Sequence, residues 1–349
     1  MTTLRTPTQL CERGLTTSEE LPALQAVAAR YAVALPDPLA QLIDPRDPDD
    51  PIARQFIPDA GELDRKAGEI DDPIGEDRHS PVEGIVHRYP DRALLKLIHI
   101  CAVYCRFCFR REVIGPDKPN VLSPSALESA LDYIRTHPEI WEVILTGGDP
   151  LVLSARRLRM VMKSLADIDH VKVIRIHTRV PIADPARITV DLVRSIKLKG
   201  KPTYVAIHVN HPRELTTKAR AACARMADAG IPLLSQSVLL AGVNDTPEVL
   251  GALMRALVEC RIKPYYLHHG DLAPGTGHLR TDIATGQNLV RTLRGRWSGL
   301  CQPTYVLDIP GGHGKSPISP NYIQVIGTNG TTRIFVEDFK GQRHAYPPC

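Results

Sequence analysis

From about residue 94 the chain alternates short apolar runs with longer segments whose apolar residues recur every three or four positions. The runs are "ALLKLIHI", "IWEVILTGG", "VKVIRIHT", "PTYVAIHVN", "IPLLSQSVLL" and "IKPYYLHH". Between and after them lie helical patterns such as "SPSALESALDYIRTH", "SARRLRMVMKSLADI" and "TPEVLGALMRALVEC"; "DPARITVDLVRSIKLKG" reads as mostly helix. The spacing predicts six βα units, with "PTYVLDIP" as a last strand. The runs do not alternate in polarity, which predicts strands buried on both faces and hence a parallel sheet. No nucleotide-binding glycine fingerprint follows the first strand, so the expected fold is α/β, a partial (β/α)6 TIM-like barrel rather than a Rossmann sheet. In such barrels chemistry collects at the C-terminal ends of the strands. The unusual residues fall there: the cysteines of "CAVYCRFCFRR", then "TGGDP", "IHTR", "HVNH", "HHGD" and "LDIPGGHGK".

The first ninety residues differ. "LTTSEELPALQAVAARYA" predicts an amphipathic helix that Thr17 or Ser18 can cap, and the Pro- and Asp-rich stretch after it suits short helices and turns over a surface. The expected division is a helical N-terminal extension over 1–93, the barrel over 94–310, and a lysine-bearing loop with a short C-terminal segment over 311–349. Among 349 residues, 43% are hydrophobic, 23% are charged and the net charge is +4, which argues against nucleic acid or a membrane surface as partner. No apolar run approaches the roughly 18 residues of a membrane span. The first residues lack the apolar core of a secretory signal, so the expected location is the cytoplasm, where thiols stay reduced. Five of the eight cysteines (Cys11, Cys223, Cys260, Cys301 and Cys349) are scattered and read as packing.

Cys101, Cys105 and Cys108 are clustered, in the spacing CxxxCxxC. Structural zinc takes four ligands, usually in two pairs. Three thiolates with no fourth nearby suit an iron–sulfur cluster that keeps one iron open. A zinc site completed by a distant histidine, or three buried cysteines, are the alternatives. "PGGHGKSP" opens the backbone around Lys315, which by itself is a glycine-rich loop ending in a solvated lysine. Arg88 and Arg92 alone read as surface charge, and Asp271 or Asp308 alone as a helix cap or as a group that supports other site residues.

The CxxxCxxC motif after the first strand resembles the radical S-adenosylmethionine superfamily, and "LTGGDPL" resembles its glycine-rich second motif. "HRYPDRALL", "CAVYCRFCFRR", "TGGDPL", "HVNHPRELT", "GVND", "PYYLHHGDL" and "DIPGGHGKSP" resemble, in order, segments of the lysine 2,3-aminomutase family over about residues 80–325. The resemblance implies a [4Fe–4S] cluster on Cys101, Cys105 and Cys108, and S-adenosylmethionine against Gly147, Gly148 and Asp149. It further implies pyridoxal phosphate on Lys315 with its phosphate at Arg88 and Arg92. Arg110 would hold the substrate carboxylate, and Asp271 and Asp308 the terminal ammonium. The implied reaction is a radical 1,2-amino shift from lysine to β-lysine, with an electron donor such as flavodoxin or ferredoxin and assembly as a dimer or tetramer. Zinc-bearing members carry a cysteine after "GVND" and a cluster in the C-terminal tail. Here Thr246 follows that motif and Cys349 stands alone, so zinc is not expected. His268 and His269 leave room for another cationic amino acid such as arginine or ornithine. β-Lysine supply for modification of elongation factor P, or a non-catalytic iron–sulfur protein, are the other readings.

Overall fold

The computed structural model describes residues 2–114, 121–328 and 331–347. Cys349 lies outside them. A two-stranded piece, β1 (Thr3–Leu4) with β2 (Leu35–Pro36), sits in the N-terminal region. The main sheet holds β3 (Ile85–Tyr89), β4 (Arg92–Ile98), β5 (Glu142–Gly147), β6 (Val173–Thr178), β7 (Thr203–His208), β8 (Leu233–Val238), β9 (Ile262–His268), β10 (Thr304–Ile309) and β11 (Gly314–Pro317), paired in chain order. From β4 to β10 all pairings are parallel; β3 and β11 lie antiparallel on the two edges.

The expected helices follow the strands on the outer face, at Pro124–Thr136, Ala155–Ala166, Val190–Ile196, Thr217–Asp228, Pro247–Glu259 and Ile283–Leu293. Each starts on a side chain that accepts from a first-turn N–H: Ser123, Ser154, Thr189, Thr216, Thr246 and Asp282 in turn. Thr246, the residue after "GVND", is thus a helix cap. "DPARITVDLVRSIKLKG" gives only a seven-residue helix. The N-terminal helix, Leu21–Arg30, has no side-chain cap at its own N-cap, Glu20. Thr17 and Glu20 instead close the preceding turn on each other's backbone N–H.

Two further expectations are corrected. The strands do alternate. Outward residues such as Val143, Leu145, Ile174, Ile176, Val205 and Ile207 are buried against the helices. Inward positions carry Thr146, Arg175, His177, His208, Gln236 and His268, which line the barrel's interior. Ile144, Ala206 and Val238 share that inner face and dilute the pattern in the sequence. Lys315 is not on a loop but on β11, paired in register with Asp308 on β10. The C-terminal segment adds its own antiparallel sheet, β12 (Ile323–Thr328), β13 (Thr331–Glu337) and β14 (Arg343–Tyr346).

Among the described residues the sheet does not close by strand pairing; side chains bridge its two ends. Tyr89 Oη on β3 accepts the Lys315 N–H of β11 at 2.6 Å, and Arg88 Nη2 reaches Asp308 Oδ1 at 3.5 Å. Gly314 has φ +89°, and a Cβ there would stand 2.9 Å from Tyr89 Oη. Ahead of β3, Gly75 packs on Gly312 so closely that a Cβ would lie 2.5 Å from its nitrogen. Arg78 donates to the Gly311 carbonyl, and His79 pairs with that of Gly312 at 3.1 Å. The N-terminal extension therefore clasps the glycine-rich turn that leads into β11.

Candidate active site

Polar residues on the inner face cannot pack as a filled barrel core does, and the interior holds a cavity of about 780 Å³. Cys101, Cys105, Cys108, Gly147, Gly148, Asp149, Arg88, Arg92, Arg110, Asp271, Asp308 and Lys315 all line it. Every residue assigned to a cofactor or to the substrate from the sequence is thus brought to one space; His268 lines it too, and His269 does not.

The three cysteines follow β4 on a loop that the N-terminal extension holds in place. Tyr104 N–H donates to Ala34 O and Arg106 N–H to Gln55 O, both at 2.9 Å. Arg106 and Arg111, within the loop, are fully buried and share one carboxylate, Glu62. Arg106 Nε meets Glu62 Oε1 at 2.8 Å, and Arg111 stacks 3.6 Å from the Tyr31 ring centre. Burial raises all three thiols, Cys108 to about 11, and neighbouring thiols raise Cys101 and Cys108 further. Thiols in that state ionise when a cationic centre takes them as ligands. Cys101, Cys105 and Cys108 come from one loop and line one cavity, and three thiolates on one wall fit a cluster that takes one cysteine per iron and keeps a fourth iron open.

At the end of β5, side chains on Gly147 or Gly148 would strike the carbonyls of Ile98 and Ile100 at 2.3 and 2.2 Å, so both must be glycine. Asp149 has a different job from the one expected. Its carboxylate accepts from Leu151 N (3.0 Å), Thr178 Oγ1 (2.7 Å), Arg179 N (2.6 Å) and Val180 N (3.1 Å). Four bonds fill its lone pairs, so it ties the β5 loop to the β6 loop and has nothing left for a ligand. Arg179 carries the tie onward, donating to Cys105 Sγ at 3.3 Å and Gln55 Oε1 at 2.9 Å while pairing with buried Glu214.

On the same cavity Lys315 Nζ lies 2.7 Å from Asp308 Oδ2, and His268 Nδ1 stands 3.9 Å from the same oxygen. Burial, then the positive charge of Lys315, pushes His268 down to about 3. Asp271 faces the same space; burial and then repulsion from Asp308 push its carboxyl up to about 7. Arg88 and Arg92 flank the Tyr89 ring, with guanidinium carbons 5.4 and 3.8 Å from its centre. Arg88 donates to Ile74 O at 2.8 Å and Arg92 to Asp91 at 2.6 Å. Arg110 is committed more heavily: its Nε and Nη2 grip buried Glu76, and Nη1 donates to Thr146 Oγ1 at 3.1 Å and Gly147 O at 3.2 Å. Five buried polar atoms on the wall have no hydrogen-bond partner: Arg88 Nε, Arg175 Nε, His177 Nε2, Arg179 Nε and Asp308 Oδ1, the last only within ion-pair distance of Arg88. The unsatisfied nitrogens fit a polar, anionic ligand such as pyridoxal phosphate, whereas Asp308 Oδ1 calls for a donor.

Glu62 and Glu76 were not singled out from the sequence, and His177 and Arg179 in "IHTR" and Glu214 in "HVNHPRELT" were given no role. The dense arginines of "CRFCFRR" were the available signal, since buried guanidinium groups require buried carboxylates.

Profiles of two families match the chain: the radical SAM superfamily over residues 95–250 and lysine-2,3-aminomutase over 290–348. Over 327 residues, 94% of this chain and 77% of the relative, it is 42% identical to an L-lysine 2,3-aminomutase of Clostridium subterminale. The chain belongs to the lysine 2,3-aminomutase family. As a member it is a radical SAM isomerase, and membership brings a [4Fe–4S] cluster, S-adenosylmethionine and pyridoxal phosphate. An L-lysine 2,3-aminomutase of Escherichia coli is 36% identical over 86% of this chain and 87% of its own. A glutamate 2,3-aminomutase of Clostridioides difficile is 37% identical over 93% and 76%. Identity at this level does not separate a cationic from an anionic substrate; the residues of the pocket have to. Among the described residues no helix is long and apolar enough to cross a membrane.

Proposed function

We propose that the protein is a lysine 2,3-aminomutase, which moves the amine of L-lysine from C2 to C3. The observation that carries this is the placing of Asp271 and Asp308 on the same cavity as Lys315 and the three cysteines. When bound, the cluster with S-adenosylmethionine supplies hydrogen-abstracting radical chemistry, and pyridoxal phosphate supplies a π-system next to the migrating amine. Cys101, Cys105 and Cys108 hold the cluster, and the backbone at Gly147 and Gly148 meets S-adenosylmethionine. Lys315 carries pyridoxal phosphate, with Arg88 and Arg92 on its phosphate. Arg110 orients the substrate carboxylate from the N–H that Glu76, Thr146 and Gly147 leave free. Lys315 Nζ has to leave Asp308 and lose its proton before it can act as a nucleophile. Its departure leaves a buried carboxylate in need of a cation, beside a second one at Asp271. A terminal ammonium answers that need; the carboxylate of glutamate does not. The nearly closed barrel keeps water from the reacting carbons.

This reading includes an electron donor of the flavodoxin or ferredoxin type, a cytoplasmic location, assembly as a dimer or tetramer without zinc, and a chain divided near residues 93 and 310. The test is an anaerobic assay with lysine, arginine, ornithine and glutamate, reading β-amino products by mass spectrometry. Lysine is the expected substrate. Charge-assisted hydrogen bonds are worth roughly 1.5–3 kcal/mol each. Asp308→Asn should therefore lower kcat/KM for lysine about ten- to a hundredfold, at 1.4 kcal/mol per factor of ten. Unchanged kcat/KM in both Asp271→Asn and Asp308→Asn enzymes would remove the basis for a cationic substrate.

A further inference from the structure

Arg110 is short of donors for a carboxylate. A guanidinium has five N–H groups, and the paired edge that best matches a carboxylate is formed by Nε and Nη2. Glu76 occupies that edge, and Thr146 Oγ1 and Gly147 O take both hydrogens of Nη1. One N–H, on Nη2, remains. A carboxylate bound there has one oxygen satisfied and needs a second donor close by.

The sheet supplies one. β5 and β6 run parallel and pair Leu145 with Ile176. The next residues, Thr146 and His177, both point into the cavity, on strands about 4.8 Å apart. Arg110 rests on Thr146, so the sheet puts His177 next to the residue that holds Arg110, and the Arg110 charge acts on the ring. His177 Nε2 is buried without a hydrogen-bond partner. Burial, then the charges of Arg175, Lys315 and Arg110, drives the ring to its neutral form. A neutral imidazole keeps one N–H to donate, in surroundings whose positive charge favours an anion. Lys315 and Arg110 both act on this ring. A substrate with its amine directed to Lys315 and its carboxylate directed to Arg110 therefore occupies the cavity that His177 also lines.

We propose that His177 completes the carboxylate subsite: its imidazole N–H binds one oxygen of the substrate α-carboxylate while the remaining Arg110 N–H binds the other. This rests on the reading of Arg110 given above. The test is equilibrium titration of protein loaded with pyridoxal phosphate, without reductant, followed by the cofactor's absorbance. Two ligands are compared: L-lysine, and 1,5-diaminopentane, which has both amines and no carboxylate. His177→Ala should weaken lysine about tenfold, equivalent to 1.4 kcal/mol, and leave 1,5-diaminopentane unchanged. His177→Gln, whose amide restores an N–H, should recover part of the loss. His177→Leu, nearer in volume, carries the same comparison should alanine impair loading. Equal weakening of both ligands, or of neither, overturns the proposal. So does weaker S-adenosylmethionine binding with lysine unaffected, because the carboxylate would then belong to S-adenosylmethionine. Arg110→Gln is run alongside. If it discriminates between the ligands and His177→Ala does not, only the role of His177 falls; if neither does, the reading of Arg110 falls with it.

Discussion

Replacing Glu62 with glutamine should cost more stability than any substitution at the cavity wall. The Glu62 side chain is fully buried and is the shared counter-charge of Arg106 and Arg111, which are fully buried too. Its Oε1 also accepts the Asp59 N–H at 2.8 Å, closing the turn that brings Glu62 to the cysteine loop. An amide offers one acceptor and no charge, so two guanidinium groups would share a buried site with no anion. Breaking a buried pair in this way costs about 3–5 kcal/mol. For a chain longer than 250 residues that is a fall in Tm on the order of 5–10 °C, at about 2 °C per kcal/mol. Because both arginines sit in the Cys101–Arg111 loop, the loss should be local first. Iron content after anaerobic reconstitution should drop, while uptake of pyridoxal phosphate, held by residues outside that loop, should persist. The assay is a denaturant titration with parallel measurement of iron and pyridoxal phosphate per chain. A Glu62→Gln protein within about 1 kcal/mol of wild type and with full iron would show that the clamp contributes nothing, and the buried-pair reasoning would fail.

Cys105→Ala should abolish the cluster's absorbance, whereas Cys223→Ala, on the buried face of Thr217–Asp228, should leave it intact; a full cluster without Cys105 removes that ligand. Borohydride reduction of the loaded protein, then digestion, should place the pyridoxyl group on the "GKSPI" peptide, and label on another lysine would displace Lys315. Lysine binding should weaken as pH falls below about 7. Burial and Asp308 hold Asp271 protonated there against the pull of Lys315, Arg88 and Arg110, and an ammonium ligand needs the ionised form. Binding should therefore release a proton near pH 6 and none near pH 8. Calorimetry in two buffers of different ionisation enthalpy reads this, and equal proton release at both pH values would contradict it.

The layout of strands, helices and strand-end motifs was legible because apolar periodicity and capping residues act locally. The alternation along the strands was not, since Ile144, Ala206 and Val238 share the inner face with Arg175, His177 and Gln236. The strand at Lys315 was also hidden: "GKSP" has no β propensity of its own, and register with Asp308 and the bond to Tyr89 make it extended. The cysteines and Lys315 were found as residue types in a pattern. Their supports, Glu62 and Glu76, lie 44 and 34 residues before the arginines they hold, in a segment whose composition reads only as turns. The same contacts revise two assignments, since Asp149 has its acceptors filled and Arg110 has one edge occupied.

The seam between β3 and β11 has a consequence for how the chain is made. Tyr89 and Lys315 are 226 residues apart. At about 5–20 residues per second, a ribosome takes roughly ten to forty-five seconds to pass from one to the other. The cysteine loop and its Glu62 clamp are synthesised before that interval is half over, whereas the wall bearing Asp308 and Lys315 emerges only at its end. A nascent chain therefore acquires its thiol ligands early and its lysine late, and for most of its synthesis the two halves of the active site do not coexist.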